Sequence, residues 1–132
     1  KIESSYLGGL RVSSTHLASN TTIITDAPID NNGKGESFSP TDLVATALGT
    51  CMITVMGIYA EKNGILMPNV YSRINKIMTS NPRKISKLKI EIIFEGNKLS
   101  EKEKQGLKKV ALNCPVANSL HADLQQEIEF IF

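Results

Sequence analysis

The sequence predicts an α+β domain with antiparallel sheets, its elements in the order βββ-α-ββ-αα-β. Three observations carry that prediction: a β-branched, glycine-punctuated N-terminal stretch, one long apolar helix opened by a proline, and a strand of strict alternation around residue 90. At 132 residues the chain has the length of one common domain, and residues 1–132 are expected to form a single domain. Such a chain buries roughly two thirds of the surface its unfolded form exposes, so it needs no metal or disulfide to fold.

Ile2 to Leu7 and Leu10 to Leu17 flank Gly8-Gly9, a pair suited to a tight hairpin because glycine tolerates positive φ. Thr21 to Thr25 is β-branched throughout and reads as a third strand. Asp26 to Phe38 contains Pro28, Asn31, Asn32, Gly33 and Gly35, and is expected to be an exposed loop. Ser39 then caps a helix, Pro40 suits its first position, and Asp42 completes an arrangement like a capping box. Leu43, Ala47, Cys51 and Val55 form one stripe, and Val44, Leu48, Met52 and Met56 the next. The joint apolar face is wider than a surface helix needs, so this helix is expected to be central and buried. Asn63-Gly64 ends it.

Val70 to Thr79 reads as a strand, and Asn81-Pro82 breaks the chain. Leu88, Ile90, Ile92 and Phe94 then face one way, with Lys89, Glu91 and Ile93 facing the other. Ser100 and Glu103 make a capping box for a helix running to about Leu112. Pro115 starts a short third helix with Cys114 at its cap, and Ile128 to Phe132 is the closing strand.

Net charge is +2, with twelve lysines and three arginines spread along the chain. That is no basic stripe, which argues against nucleic acid. No apolar run approaches the roughly 18 residues of a membrane span. The longest, Leu43 to Ala60, is interrupted by Thr46, Gly49, Thr50, Cys51, Thr54 and Gly57. No signal peptide is visible, and two cysteines without one imply a reducing, cytoplasmic setting.

Those cysteines carry the chemistry. Cys51 sits about three turns into the apolar helix. Cys114 directly precedes a helix start, where unpaired N–H groups favour a thiolate, so local sequence gives Cys114 the better reason for a depressed pKa. The plainer reading is that both are small hydrophobes filling space. His16 and His121 show no ligand spacing to either cysteine, so no metal site is expected. No nicotinamide, flavin or nucleotide motif is present, so no cofactor is expected and any reductant comes from outside.

The stretch Ser39-Pro40-Thr41-Asp42-Leu43, followed by Ala45, Ala47, Leu48, Gly49, Thr50 and Cys51, resembles the central-helix signature of the OsmC/Ohr family. Asn113-Cys114-Pro115-Val116-Ala117-Asn118 is similar to that family's motif around its second cysteine. The resemblance implies an OsmC-like fold of curved sheets around a long central helix, in an intertwined homodimer with active sites at the interface. It implies a thiol-dependent peroxidase that reduces organic hydroperoxides to alcohols. Cys51 would be the peroxidatic cysteine, Cys114 its resolving partner, and a dithiol or thiol protein the reductant. The family's arginine corresponds approximately to Arg11, whose guanidinium would stabilise the thiolate and orient the peroxide.

The chain departs from the pattern at the carboxylate that holds this arginine. Ohr-type enzymes have a glutamate directly after the helix-starting proline, where this sequence has Thr41. The next residue, Asp42, points about 100° further round the helix, so it is either an active-site residue or only a cap. Glu36, in the loop, is a second candidate. The departure suggests a divergent OsmC-like branch and keeps an alternative open: a non-catalytic, small-ligand-binding or redox-sensing protein. Tyr59, Phe38, Met52 and Met56 could line an apolar pocket or simply be core, and His121 reads as an exposed histidine of the short helix.

Overall fold

In the computed structural model, which describes residues 1–132, the first two strands are β1 (Ile2–Gly8) and β2 (Arg11–His16). Positive φ at Gly9 (61°) and Leu10 (64°) closes the two-residue turn between them. Both central residues of a primed hairpin turn need that conformation, so glycine takes one place and a leucine is forced into the other. The Leu10 N–H donates to Tyr6 Oη at 3.3 Å, fixing the turn from one side. β2 pairs antiparallel with β3 (Thr21–Asp26), and the register sets His16 opposite Thr21 and Arg11 opposite Asp26. The segment after β3 is largely exposed, as expected, and contains one short 3-10 turn at Ile29–Asn31, itself exposed.

Helix α1 (Pro40–Lys62) begins with the expected reciprocal cap. The Asp42 N–H donates to Ser39 Oγ at 3.1 Å, and the Ser39 N–H donates to Asp42 Oδ2 at 2.9 Å. It ends at Gly64, whose φ of 63° lets the Ile65 N–H reach the Ala60 carbonyl at 2.9 Å. The chain divides into two compact units, Lys1–Val44 and Ala45–Phe132, and the boundary falls within this helix.

The second unit contains strands β4 (Asn69–Thr79) and β5 (Lys84–Glu95), helices α2 (Glu101–Leu112) and α3 (Pro115–Ser119), and strand β6 (Gln125–Ile131). Its core is made of Leu48, Met52 and Met56 of α1, the inward row Leu88, Ile90, Ile92 and Phe94 of β5, and Leu107 and Ala111 of α2. At Gly106 a Cβ would run into the Tyr59 side chain, so glycine permits the close approach of α2 to α1. Ser100 and Glu103 form the capping box that starts α2.

Three expectations need correcting. The sheets are not wholly antiparallel: β4 pairs antiparallel with β5, but β5 pairs parallel with β6. Residues 96–124, which include α2 and α3, form the long crossover that returns the chain in the same direction. Helix α1 is not buried all round. Ala45, Leu48, Gly49, Met52, Met56 and Ala60 are covered, whereas Ala47, Thr50, Thr54 and Ile58 are exposed, because β5 and α2 cover only one side of it. The helix is also long and apolar enough to cross a membrane by length and composition. Thr50 and Thr54 do not break it, since their hydroxyls donate at 2.8 Å to the carbonyls of Thr46 and Thr50. Here its Leu48, Met52 and Met56 side chains lie in the protein core.

Candidate active site

Two clusters of chemistry-bearing side chains emerge, one in each unit. In the second unit, Cys51 is half-buried on α1 and packs against the core, while Cys114 is only 1% exposed. Cys114 occupies the cap of α3, as its position before Pro115 predicts, and its sulfur accepts the Ala117 N–H at 3.3 Å. The two thiols lie close enough to influence each other electrostatically, and neither is in a disulfide.

Burial pushes the Cys114 thiol up, and the Ala117 N–H opposes this without overcoming it. The neighbouring Cys51 thiol pushes it further in the same direction. This overturns the expectation that Cys114 is the thiol with the depressed pKa. A five-residue helix offers its cap few aligned dipoles, and desolvation in the core outweighs them.

In the first unit, Arg11 opens β2 directly opposite Asp26 at the end of β3. Its Nη2 lies 3.4 Å from Asp26 Oδ2 and also pairs with Glu36. Asp26 Oδ2 accepts the Glu36 backbone N–H at 3.0 Å as well. That backbone bond holds the Asp26 carboxyl below its ordinary range; burial opposes the shift, and the Arg11 guanidinium adds to it. Of the two carboxylates weighed as holders of the arginine, Glu36 is therefore paired with Arg11, and Asp42 is engaged in capping α1.

Sequence reasoning missed Asp26. The signal was present in the hairpin: counting back from His16 opposite Thr21 brings Arg11 opposite Asp26. The residue was assigned to the loop, one position beyond the strand's expected end.

The remaining candidates separate cleanly. Met52 and Met56 are core, and Phe38 is exposed. Tyr59 lines an apolar groove of about 340 Å³ with Val55, Ile58, Lys62, Val110 and Asn113. His121 is exposed, but it lies just beyond α3 rather than in it; its Nδ1 accepts the Asp123 N–H at 3.0 Å.

Comparison with solved structures gives a consistent picture. A Psychrobacter arcticus protein named for osmotic stress induction and a detoxification response superposes with a TM-score of 0.92 at 44% identity, covering 98% of this chain and 93% of the other. The Legionella pneumophila organic hydroperoxide resistance protein OsmC matches with a TM-score of 0.76 at 17% identity, covering 100% and 96%. The Bacillus subtilis organic hydroperoxide resistance protein OhrB gives 0.69 at 16%, covering 98% and 96%. The last two matches speak to the fold alone. A search of curated proteins found no match. The profile of the OsmC-like protein family matches residues 33–129, a span that takes in α1 with Cys51 and the Cys114 segment. On the sequence match, the mixed α+β fold and the paired cysteines together, the chain belongs to the OsmC-like protein family.

Proposed function

We propose that this protein is a cysteine-based peroxidase that reduces organic hydroperoxides to alcohols. The observation that carries the reading is the pair of free cysteines close enough to influence each other electrostatically, one half-buried on α1 and the other buried in the core as a thiol. The Cys51 thiolate attacks the distal oxygen of the hydroperoxide. The O–O bond breaks, the alkoxide takes a proton and leaves as alcohol, and the sulfur is oxidised to a sulfenic acid. The Cys114 sulfur then attacks the Cys51 sulfur. The S–O bond breaks, hydroxide leaves with the Cys114 proton as water, and a disulfide forms. An external dithiol or thiol protein supplies two electrons and two protons to restore both cysteines.

Arg11 is assigned the role of the cation that favours the Cys51 thiolate and orients the peroxide, and Asp42 that of the helix cap. The chain is read as one domain over 1–132, since the family match crosses the boundary between the two units. It is further read as a cytoplasmic homodimer. The exposed Ala47, Thr50, Thr54 and Ile58 side of α1 and the open apolar surface of the first sheet support the dimer.

A second reading draws on the apolar groove beside Tyr59. In it the protein holds a small apolar ligand and the cysteines do no turnover. One experiment separates the two: dithiol-dependent consumption of cumene hydroperoxide by wild type, Cys51→Ser and Cys114→Ser. The peroxidase reading expects turnover in the wild type and none above background in Cys51→Ser. Cys114→Ser should stop with a sulfenic acid that dimedone traps. A wild type with reduced thiols and no turnover, or a Cys51→Ser variant as active as wild type, defeats the peroxidase.

A further inference from the structure

Arg11 is shared between two carboxylates of opposite character. Asp26 has a fully covered side chain, Glu36 is 58% exposed, and the arginine between them is 35% exposed. A pair made with a solvated glutamate in a loop is screened and easily exchanged. A pair made with a buried carboxylate on a strand is neither.

The backbone fixes the Asp26 side of this arrangement. Arg11 and Asp26 are directly opposite in the β2–β3 ladder, so their Cα positions are set by the register. The Asp26 N–H donates to the Phe38 carbonyl at 3.0 Å, and its Oδ2 accepts the Glu36 N–H. The same carboxylate thus anchors both the guanidinium and the return of the loop that carries Glu36. Its other oxygen, Oδ1, is buried with no hydrogen-bond partner. An idle buried carboxylate oxygen costs stability, which a residue kept only for the fold has no reason to carry. A guanidinium can engage both oxygens of a carboxylate in a fork, and Oδ1 is the acceptor such a fork would use.

We propose that Asp26 is the positioning residue for Arg11, supplying from the sheet the fixed carboxylate that this chain does not have at Thr41. The inference rests on the peroxidase reading only in what the positioned arginine is for. Asp26 acts through Arg11, while Glu36 is the exchangeable second partner on the solvent side.

The test is the pH dependence of iodoacetamide alkylation of the single remaining thiol in a Cys114→Ser background, followed for Asp26→Asn, Arg11→Ala and both together. Loss of a negative charge by itself would move the profile to lower pH, since it removes repulsion of a thiolate. Loss of a positioned cation moves it to higher pH. Positioning therefore expects Asp26→Asn to shift the profile upward, in the direction of Arg11→Ala, with the double variant no further displaced than Arg11→Ala. A downward or absent shift overturns it, as does full additivity. If Asp26→Asn loses the near-ultraviolet circular dichroism of the folded protein, Asp26→Glu carries the test. That variant keeps the charge but moves the guanidinium, and should give a smaller upward shift; a wild-type profile there overturns the proposal. Turnover of cumene hydroperoxide is measured separately. Its absence in the wild type defeats the peroxidase, while the alkylation profiles still decide whether Asp26 governs Arg11.

Discussion

Residues 45–132 and residues 1–44 treat their apolar side chains in opposite ways. In the second unit, one row of β5 and one stripe of α1 meet with α2 to leave Leu48, Met52, Leu88, Ile92 and Leu107 with no exposed surface. In the first, no apolar side chain is buried, and Ile2 and Tyr6 are about two thirds exposed, at 66% and 67%. The second unit has a core of its own, and a three-stranded sheet with two wet faces does not. The arginine cluster sits in the unit without a core. The first unit has no apolar core among its own residues, and a second copy of the chain is the cover proposed for it.

The sharpest way to break this comparison is to cut equally into both units. Leu48→Ala removes a fully buried side chain from the core. It should cost about 2–5 kcal/mol in urea unfolding, at any protein concentration. A loss under about 1 kcal/mol would mean that the core tolerates a void there and is less closely packed than its burial implies.

Ile24→Ala asks the same of the first unit, where the side chain is 44% exposed. On an isolated chain an exposed truncation of this kind stays within about 0.5 kcal/mol. If a second copy covers the sheet, it should instead cost about 1–2 kcal/mol, and the loss should grow as the protein is diluted. We expect the dilution-dependent outcome, read as Tm against protein concentration beside sedimentation of the wild type. A small loss independent of concentration would remove the first sheet from the dimer contact.

The same contrast explains what the sequence revealed. The second unit was legible because its signals are local and mutually consistent: the alternation of Leu88 to Phe94, the Ser100–Glu103 box and the Cys114-Pro115 helix start all took the structure they predict. Strand β6 was less so. Its parallel pairing is set by where the crossover lands, and no residue in Gln125–Ile131 encodes that. In the first unit the strands were readable, but the partner of Arg11 was not, because pairing across a hairpin depends on the loop length and on one strand-end residue. The extent of burial along α1 was also hidden. Its sequence is apolar on nearly all sides, and only tertiary contact decides which side is covered.

The smallest effect concerns pH, where the two units should respond at opposite ends of the scale. Asp26 has a lowered carboxyl pKa, chiefly through the Glu36 N–H and despite its burial. A lowered acid contributes stability that is present above its unfolded value of about 3.9 and is lost as pH falls through the folded one. Cys114 has a raised thiol pKa, chiefly through burial. Its contribution is intact below the unfolded thiol value of about 8.5 and is lost as pH rises toward the folded one. Acid should therefore narrow the stability gap between wild type and Asp26→Asn, and alkali the gap between wild type and Cys114→Ala, each measured by urea unfolding across pH under reducing conditions. A gap for Asp26→Asn that stays constant between about pH 6 and 3 would show that the carboxylate's charge does no more for the fold than its shape. The Arg11 pair would then have to be judged by its effect on the thiol alone.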